Sequence, residues 1–139
     1  MPTTPASARR ALAYAWAAPT SAVGLALSAL ALPGGHFRFV DGVLEVCGGW
    51  LPAVLRRATP LAGGATAVAL GHVVLARDPA CLAGTRTHER VHVRQAERWG
   101  PFFLPAYLVA GAVQLLKGRD PYRDNPFEIE ARAASNHEA

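Results

Sequence analysis

The sequence predicts an α+β domain: a small antiparallel sheet, a helix bearing His88-Glu89-Arg90-Val91-His92 and a C-terminal helix bearing Glu130, all preceded by an apolar N-terminal helix. Three observations carry this prediction. A charge-free run of about 22 residues lies near the start. Alternating apolar residues around a two-residue turn occupy the middle, and the second half holds two stretches with helix start and stop signals. A chain of 139 residues is one domain's worth. Composition divides it into an apolar segment over 1–34, a candidate membrane anchor, and a domain over 35–139.

Arg9-Arg10 precede the uncharged run from Ala11 to Leu32, which Pro33-Gly34-Gly35 ends. The run is long enough to span a bilayer, and a basic flank commonly marks the cytoplasmic end. Three readings stand: a transmembrane helix, a cleaved signal with a site after Ala31, or a buried N-terminal helix. Membrane association is favoured because the run exceeds the apolar core of a usual signal; the side of the membrane stays open. Pro19 could instead split the run into two short helices.

His36-Phe37-Arg38-Phe39-Val40, Asp41-Gly42 and Val43-Leu44-Glu45-Val46 read as two strands around a hairpin turn. Trp50 to Arg57 reads as a short helix, and Ala65 to Ala76 returns to β-type residues around Gly71. His72 is expected to be a hydrogen-bonded strand histidine, with a ligand or substrate-facing role as the alternative.

Next comes the chemistry. His88 and His92, at i and i+4, are neighbours on one helix face, so both imidazoles can reach one Zn²⁺. Glu89 is offset around the helix, placed to take a proton from a water acidified by the metal without being a ligand. Arg86 to Trp99 contains no Gly or Pro before Gly100-Pro101, which predicts a helix of about four turns. His88, His92, Gln95 and Trp99 share one face of it; Arg90, Arg94 and Arg98 form a stripe on another. Pro101 to Lys117 is a second apolar run, expected as a core helix, with an interface-lying helix as the alternative.

Catalytic zinc usually takes three protein ligands, so a third is needed. In Asp124-Asn125-Pro126-Phe127-Glu128-Ile129-Glu130-Ala131, Asn125 is a helix cap and Pro126 the first helical position. Glu128 and Glu130 lie about 200° apart around that helix, so only one can face the metal. Glu128 sits at the capping-box position relative to Asn125, with Arg132 on its side, and so has a structural task. Glu130 shares the small apolar face of Phe127, Ala131 and Ala134, and is preferred as the ligand, with Glu128 in reserve.

His88-Glu89-x-x-His92 with a glutamate on a later helix resembles the gluzincin branch of the zincin metallopeptidases, and Glu130-Ala131 is similar to the ligand glutamate and alanine of that branch. The stretch from Ala67 to Gln95, with Leu70-Gly71-His72-Val73-Val74 as a glycine-bearing strand before the motif helix, resembles small bacterial zincin-like domains. The resemblance implies a minimal zincin-like domain over 35–139, with Zn²⁺ held by His88, His92 and Glu130 and Glu89 as the catalytic base. Many gluzincins carry an Asp four residues after the ligand glutamate; Ala134 stands there in this chain.

The net charge of +4 and pI near 9.7 come almost entirely from arginine, spread along the chain rather than grouped with aromatics, which argues against nucleic acid as a partner. Anionic membrane lipid or an acidic partner fits the arginine stripe, beside the plainer reading of a solvated helix face. Cys47 and Cys81 allow one disulfide or two free thiols, and Cys81 is disfavoured as a fourth zinc ligand.

Two function classes follow. One is a zinc-dependent hydrolase, with peptide or protein substrates first, in which Tyr122 or Arg123 could stabilise the oxyanion. The other is a membrane-associated zinc-binding or scaffold domain of zincin shape without turnover, which Ala134 favours.

Overall fold

The computed structural model describes residues 5–57 and 65–138. In chain order these form α1 (Ala6–Ser28), β1 (His36–Val40), β2 (Val43–Cys47), α2 (Leu51–Arg57), β3 (Ala67–Leu70), β4 (Val73–Ala76), α3 (Pro79–Trp99), α4 (Phe103–Leu116) and α5 (Pro126–Glu138). The architecture is α+β, with the apolar helix first.

The sheet has the order β1-β2-β4-β3. Asp41 and Gly42 both take positive φ, as the tight turn of the first hairpin requires. The sheet is mixed rather than wholly antiparallel: β2 pairs with β4 in parallel, Leu44 opposite Val73 and Cys47 opposite Ala76. The reason lies in β4, whose Val73-Val74-Leu75-Ala76 is buried on both faces and so takes a central position. Gly71-His72 is not the middle of a strand, as the sequence suggested, but the turn joining β3 to β4, with Gly71 at φ +64°.

The two faces of the sheet feed two cores. Val46, Leu70, Val73 and Leu75 pack with Ala31, Leu51 and Leu55 on one side. Val43, Cys47, Ala69, Val74 and Ala76 pack with Leu82 and Val93 of α3 on the other. Both cysteines are free thiols.

α1 runs unbroken through Pro19. Its buried positions, Ala17, Thr20, Gly24 and Ser28, recur at helical spacing and are small, so the helix lies hard against the β3–β4 turn. A Cβ on Gly24 would sit 2.7 Å from Val73 Cβ, and the Ser21 hydroxyl accepts the His72 N–H at 2.9 Å. The segment set apart by composition is therefore joined to the rest by packing. Its other face, including Leu12, Trp16, Val23 and Leu25, is exposed.

α3 begins at Pro79, two turns before the expected start at Arg86. The Asp78 carboxylate caps it by accepting the Cys81 N–H at 2.8 Å, Pro79 takes the first turn, and Gly84 costs only about 1 kcal/mol within a helix. α4 is not a core helix: only Phe103, Gly111 and Gln114 are buried, while Leu108, Val109, Val113, Leu115 and Leu116 are exposed. Two helical stretches, Ala6–Ala31 and Pro79–Leu116, are long and apolar enough to cross a membrane, by length and composition.

Candidate metal centre

α3 lies between the sheet and α5, and the site forms where its histidine face meets α5 and α4. α5 is fixed first. Asn125, fully buried, caps it as expected: its side-chain oxygen accepts the Phe127 N–H at 3.0 Å, and its amide donates to the Tyr107 carbonyl of α4 at 3.1 Å. The Asn125 N–H is satisfied by Tyr122 O, so no capping box forms and Glu128 is released from the cap. Arg132 donates instead to the Arg123 carbonyl.

Glu128, rather than Glu130, meets the histidines. Its Oε2 lies 3.0 Å from His88 Nε2 and its Oε1 3.2 Å from His92 Nε2, while the two Nε2 atoms are 3.2 Å apart. His88, His92 and Glu128 form a group that could hold a metal ion, their ligand atoms within 4.8 Å of one another. Glu130 is exposed and paired with Arg98 across to α3. The two glutamates flank the apolar face of α5 on opposite sides, and α5 rolls onto α3 through Phe127, Glu128 and Ala131. The sequence pattern located that face but did not say which flank turns inward.

Two residues orient the ligands. Gln95, fully buried, donates from Nε2 to the Phe127 carbonyl at 3.0 Å. A carbonyl can only accept, so the amide orientation is set and Gln95 Oε1 receives the His92 Nδ1–H at 2.8 Å. In the neutral ring this leaves the His92 Nε2 lone pair aimed at Glu128 and His88. Tyr107, from α4, donates its hydroxyl to Glu128 Oε1 at 2.6 Å. Gln95 was legible as a neighbour of the histidines on one face; Tyr107 was not, although a phenol in an otherwise apolar run was a signal.

The polar inventory does not close while both imidazoles are neutral. With the His92 proton on Nδ1, a proton on His88 Nε2 can serve Glu128 Oε2, and the 3.2 Å contact of His92 Nε2 with Glu128 Oε1 then opposes two lone pairs. Burial works against charge on both partners. The His88 and His92 hydrogen bonds outweigh it at Glu128, holding that carboxyl well below the usual carboxylate range, and Glu128 outweighs it at His92, raising the imidazole. A metal ion at the same point would satisfy all three ligand groups.

Glu89, the expected base, is buried between α3 and β3. It accepts the Ala69 N–H, while its Oε2 is buried without a partner among the described residues. Burial pushes its carboxyl up, against the pull of His92 and His88. An orphaned carboxylate oxygen in electrostatic reach of the histidine pair is what a bound water or substrate group would complete.

The other candidates lie elsewhere. His72 Nε2 bonds Glu97 Oε1 at 2.8 Å, as a hydrogen-bonded histidine. Cys81 is outside the metal-binding group, and Asp120 and Asp124 order the turn before α5. Burial, with Glu128 and Glu89 nearby, pushes the Tyr122 phenol up to about 12, whereas Arg123 is exposed. No protein-family model, curated protein or solved structure matches this chain.

Proposed function

We propose that the chain is a zinc-dependent hydrolase of gluzincin type, a peptidase before other hydrolases, working at a membrane surface. The observation that carries this reading is the convergence of His88 Nε2, His92 Nε2 and the Glu128 carboxylate, with the unpartnered carboxylate of Glu89 in electrostatic reach. Two imidazoles and a carboxylate are a donor set of catalytic zinc, which keeps a position for water or substrate. Zn²⁺ held there supplies a Lewis acid and lowers the pKa of water.

The chain's own residues do the rest. Glu89 offers Oε2 to the proton of the attacking water and can then hand that proton to the leaving amine. Gln95 holds the His92 ring with Nε2 free, and Tyr107 holds Glu128. Tyr122, half-buried beside Glu128, serves as the oxyanion donor in this reading, since a phenol keeps its proton throughout the neutral range.

The membrane part rests on the exposed apolar faces of α1 and α4, from Leu12, Trp16 and Leu25 to Leu108, Leu115 and Leu116. The sheet turn packed on α1 argues against lipid all round that helix, because the edges of β1 and β3 would carry unpaired backbone groups into hydrocarbon. An interface-lying arrangement fits better.

One observation favours a zinc-binding domain without turnover: Glu89, His92 and Glu128 are only 5, 6 and 3% exposed. Zinc analysis and a broad peptide-hydrolysis screen of the full chain separate the readings. Glu89→Gln should keep stoichiometric zinc and lose hydrolysis, while His88→Ala should lose both. Zinc without hydrolysis in the unaltered chain selects the second reading, and a zinc-free unaltered chain refutes both.

A further inference from the structure

We propose that the cleft on the far side of α3 from the histidines is a binding site for a phosphate-bearing anion. It is a cavity of about 740 Å³ between the start of α1, the β1–β2 turn and the arginine face of α3. The proposal does not rest on the metal reading, since α3 itself separates the two sites.

Arg9, Arg10, Arg86, Arg90 and Arg94 line the cleft, against only two carboxylates, Asp41 and Glu97. Beneath them lies buried Glu45, which takes Arg86 through two hydrogen bonds of 3.0 and 2.9 Å and Arg90 through one of 3.2 Å. Glu97 is drawn to His72. Arg9, Arg10 and Arg94 have no carboxylate partner among the described residues. Positive charge therefore exceeds negative charge inside one concavity, even with Glu45 counted.

Three of the five arginines are also held in place, Arg86 and Arg90 on Glu45 and Arg10 on Tyr14. Arg90 donates to the Val40 carbonyl as well as to Glu45. Arg10 lies over the Tyr14 ring at 5.9 Å, and that ring packs at a tilt against His72 while its hydroxyl donates to the Gly42 carbonyl. A ligand would meet Arg10 and Arg90 already held and would have to order only the exposed Arg9 and Arg94. Like charges converging among the apolar walls of Ala13, Val43 and Val93 repel each other and focus a positive field, which an anion relieves. Three guanidinium groups from two helices suit a tetrahedral group with several charged oxygens better than a carboxylate, which one fork already satisfies.

That phosphate could belong to a lipid headgroup or to a soluble phosphate ester. The cleft lies at the start of α1, just before exposed Leu12 and Trp16, so either source can reach it.

The test uses the full chain at constant ionic strength, with thermal unfolding in increasing glycerol 3-phosphate and sedimentation with phosphatidylcholine vesicles, with and without phosphatidylglycerol. Glycerol 3-phosphate should raise Tm saturably. Arg9→Gln/Arg94→Gln, two exposed positions, should raise the half-saturating concentration on the order of tenfold or more. Arg56→Gln/Arg57→Gln, which removes equal charge from exposed α2 positions, should not. Preference for phosphatidylglycerol, lost in the first double variant alone, assigns the site to a headgroup. A Tm rise without vesicle preference assigns it to a soluble ester. No Tm rise together with no vesicle preference, or equal losses in both double variants, overturns the proposal. Zinc content measured on the same samples keeps this result separate from the fate of the metal reading.

Discussion

The two faces of α3 each set one buried glutamate against two cationic or potentially cationic side chains, and they differ in what completes them. Glu45 faces Arg86 and Arg90; Glu128 faces His88 and His92. Guanidinium groups keep their charge at any ordinary pH, so the first cluster is complete as built. Imidazoles carry a charge only when protonated, so the second is completed by a proton, toward which Glu128 pulls His92 against burial, or by a metal ion. Residues that look equivalent by burial thus divide into a structural ion cluster and a group that could hold a metal ion.

The largest expected effect breaks the structural cluster. Glu45→Ala leaves Arg90, mostly buried, without its carboxylate, and should cost about 3–5 kcal/mol in urea unfolding. The loss should be the same with zinc or with a chelator. A chain whose stability barely changes would show that Glu45 is not the anchor described here.

Titration sharpens the contrast. The Arg86 hydrogen bonds, opposed by burial, lower the Glu45 carboxyl, so its contribution is fully present above the ordinary Glu range near 4.5 and is lost as pH falls through the folded value. The raised His92 imidazole has the opposite sign: in chelated protein its contribution is full below about 6.5, the unfolded value, and is lost as pH rises through the folded one. Unfolding measured across pH with chelator should show both limbs. Zinc should remove the upper one, because a metal replaces the proton.

Gln95→Leu tests positioning. The volume stays similar, but His92 Nδ1–H loses its acceptor, and zinc affinity should fall about 10–100-fold in a competition titration with a chromogenic chelator. Unchanged affinity would mean that the ring is held by packing alone.

The smallest effect is expected at Glu130→Gln. This exposed pair with Arg98 is worth at most about 1 kcal/mol, and zinc affinity should not move.

How much of this was legible beforehand follows from the range of each interaction. The helical His88-to-His92 stretch with its end at Trp99, the Asp41-Gly42 hairpin and the Asn125 cap are local patterns, and each stands where the sequence put it. The inward roll of Glu128, the parallel pairing of β2 with β4 and the exposed side of α4 depend on what packs against them, and no local spacing encodes a neighbour. The early start of α3 is a different case. Asp78-Pro79 is a readable cap and first turn, and Gly84, a poor helix former, lies between it and the motif.

The most direct measurement is the zinc-to-protein ratio of the purified full chain beside Glu128→Gln and Glu130→Gln, by elemental analysis after identical handling. With His88, His92 and Glu128 as the ligands, the unaltered chain and Glu130→Gln should each carry stoichiometric zinc and Glu128→Gln should carry almost none. Zinc retained in Glu128→Gln and lost in Glu130→Gln, or none in the unaltered chain, would contradict it.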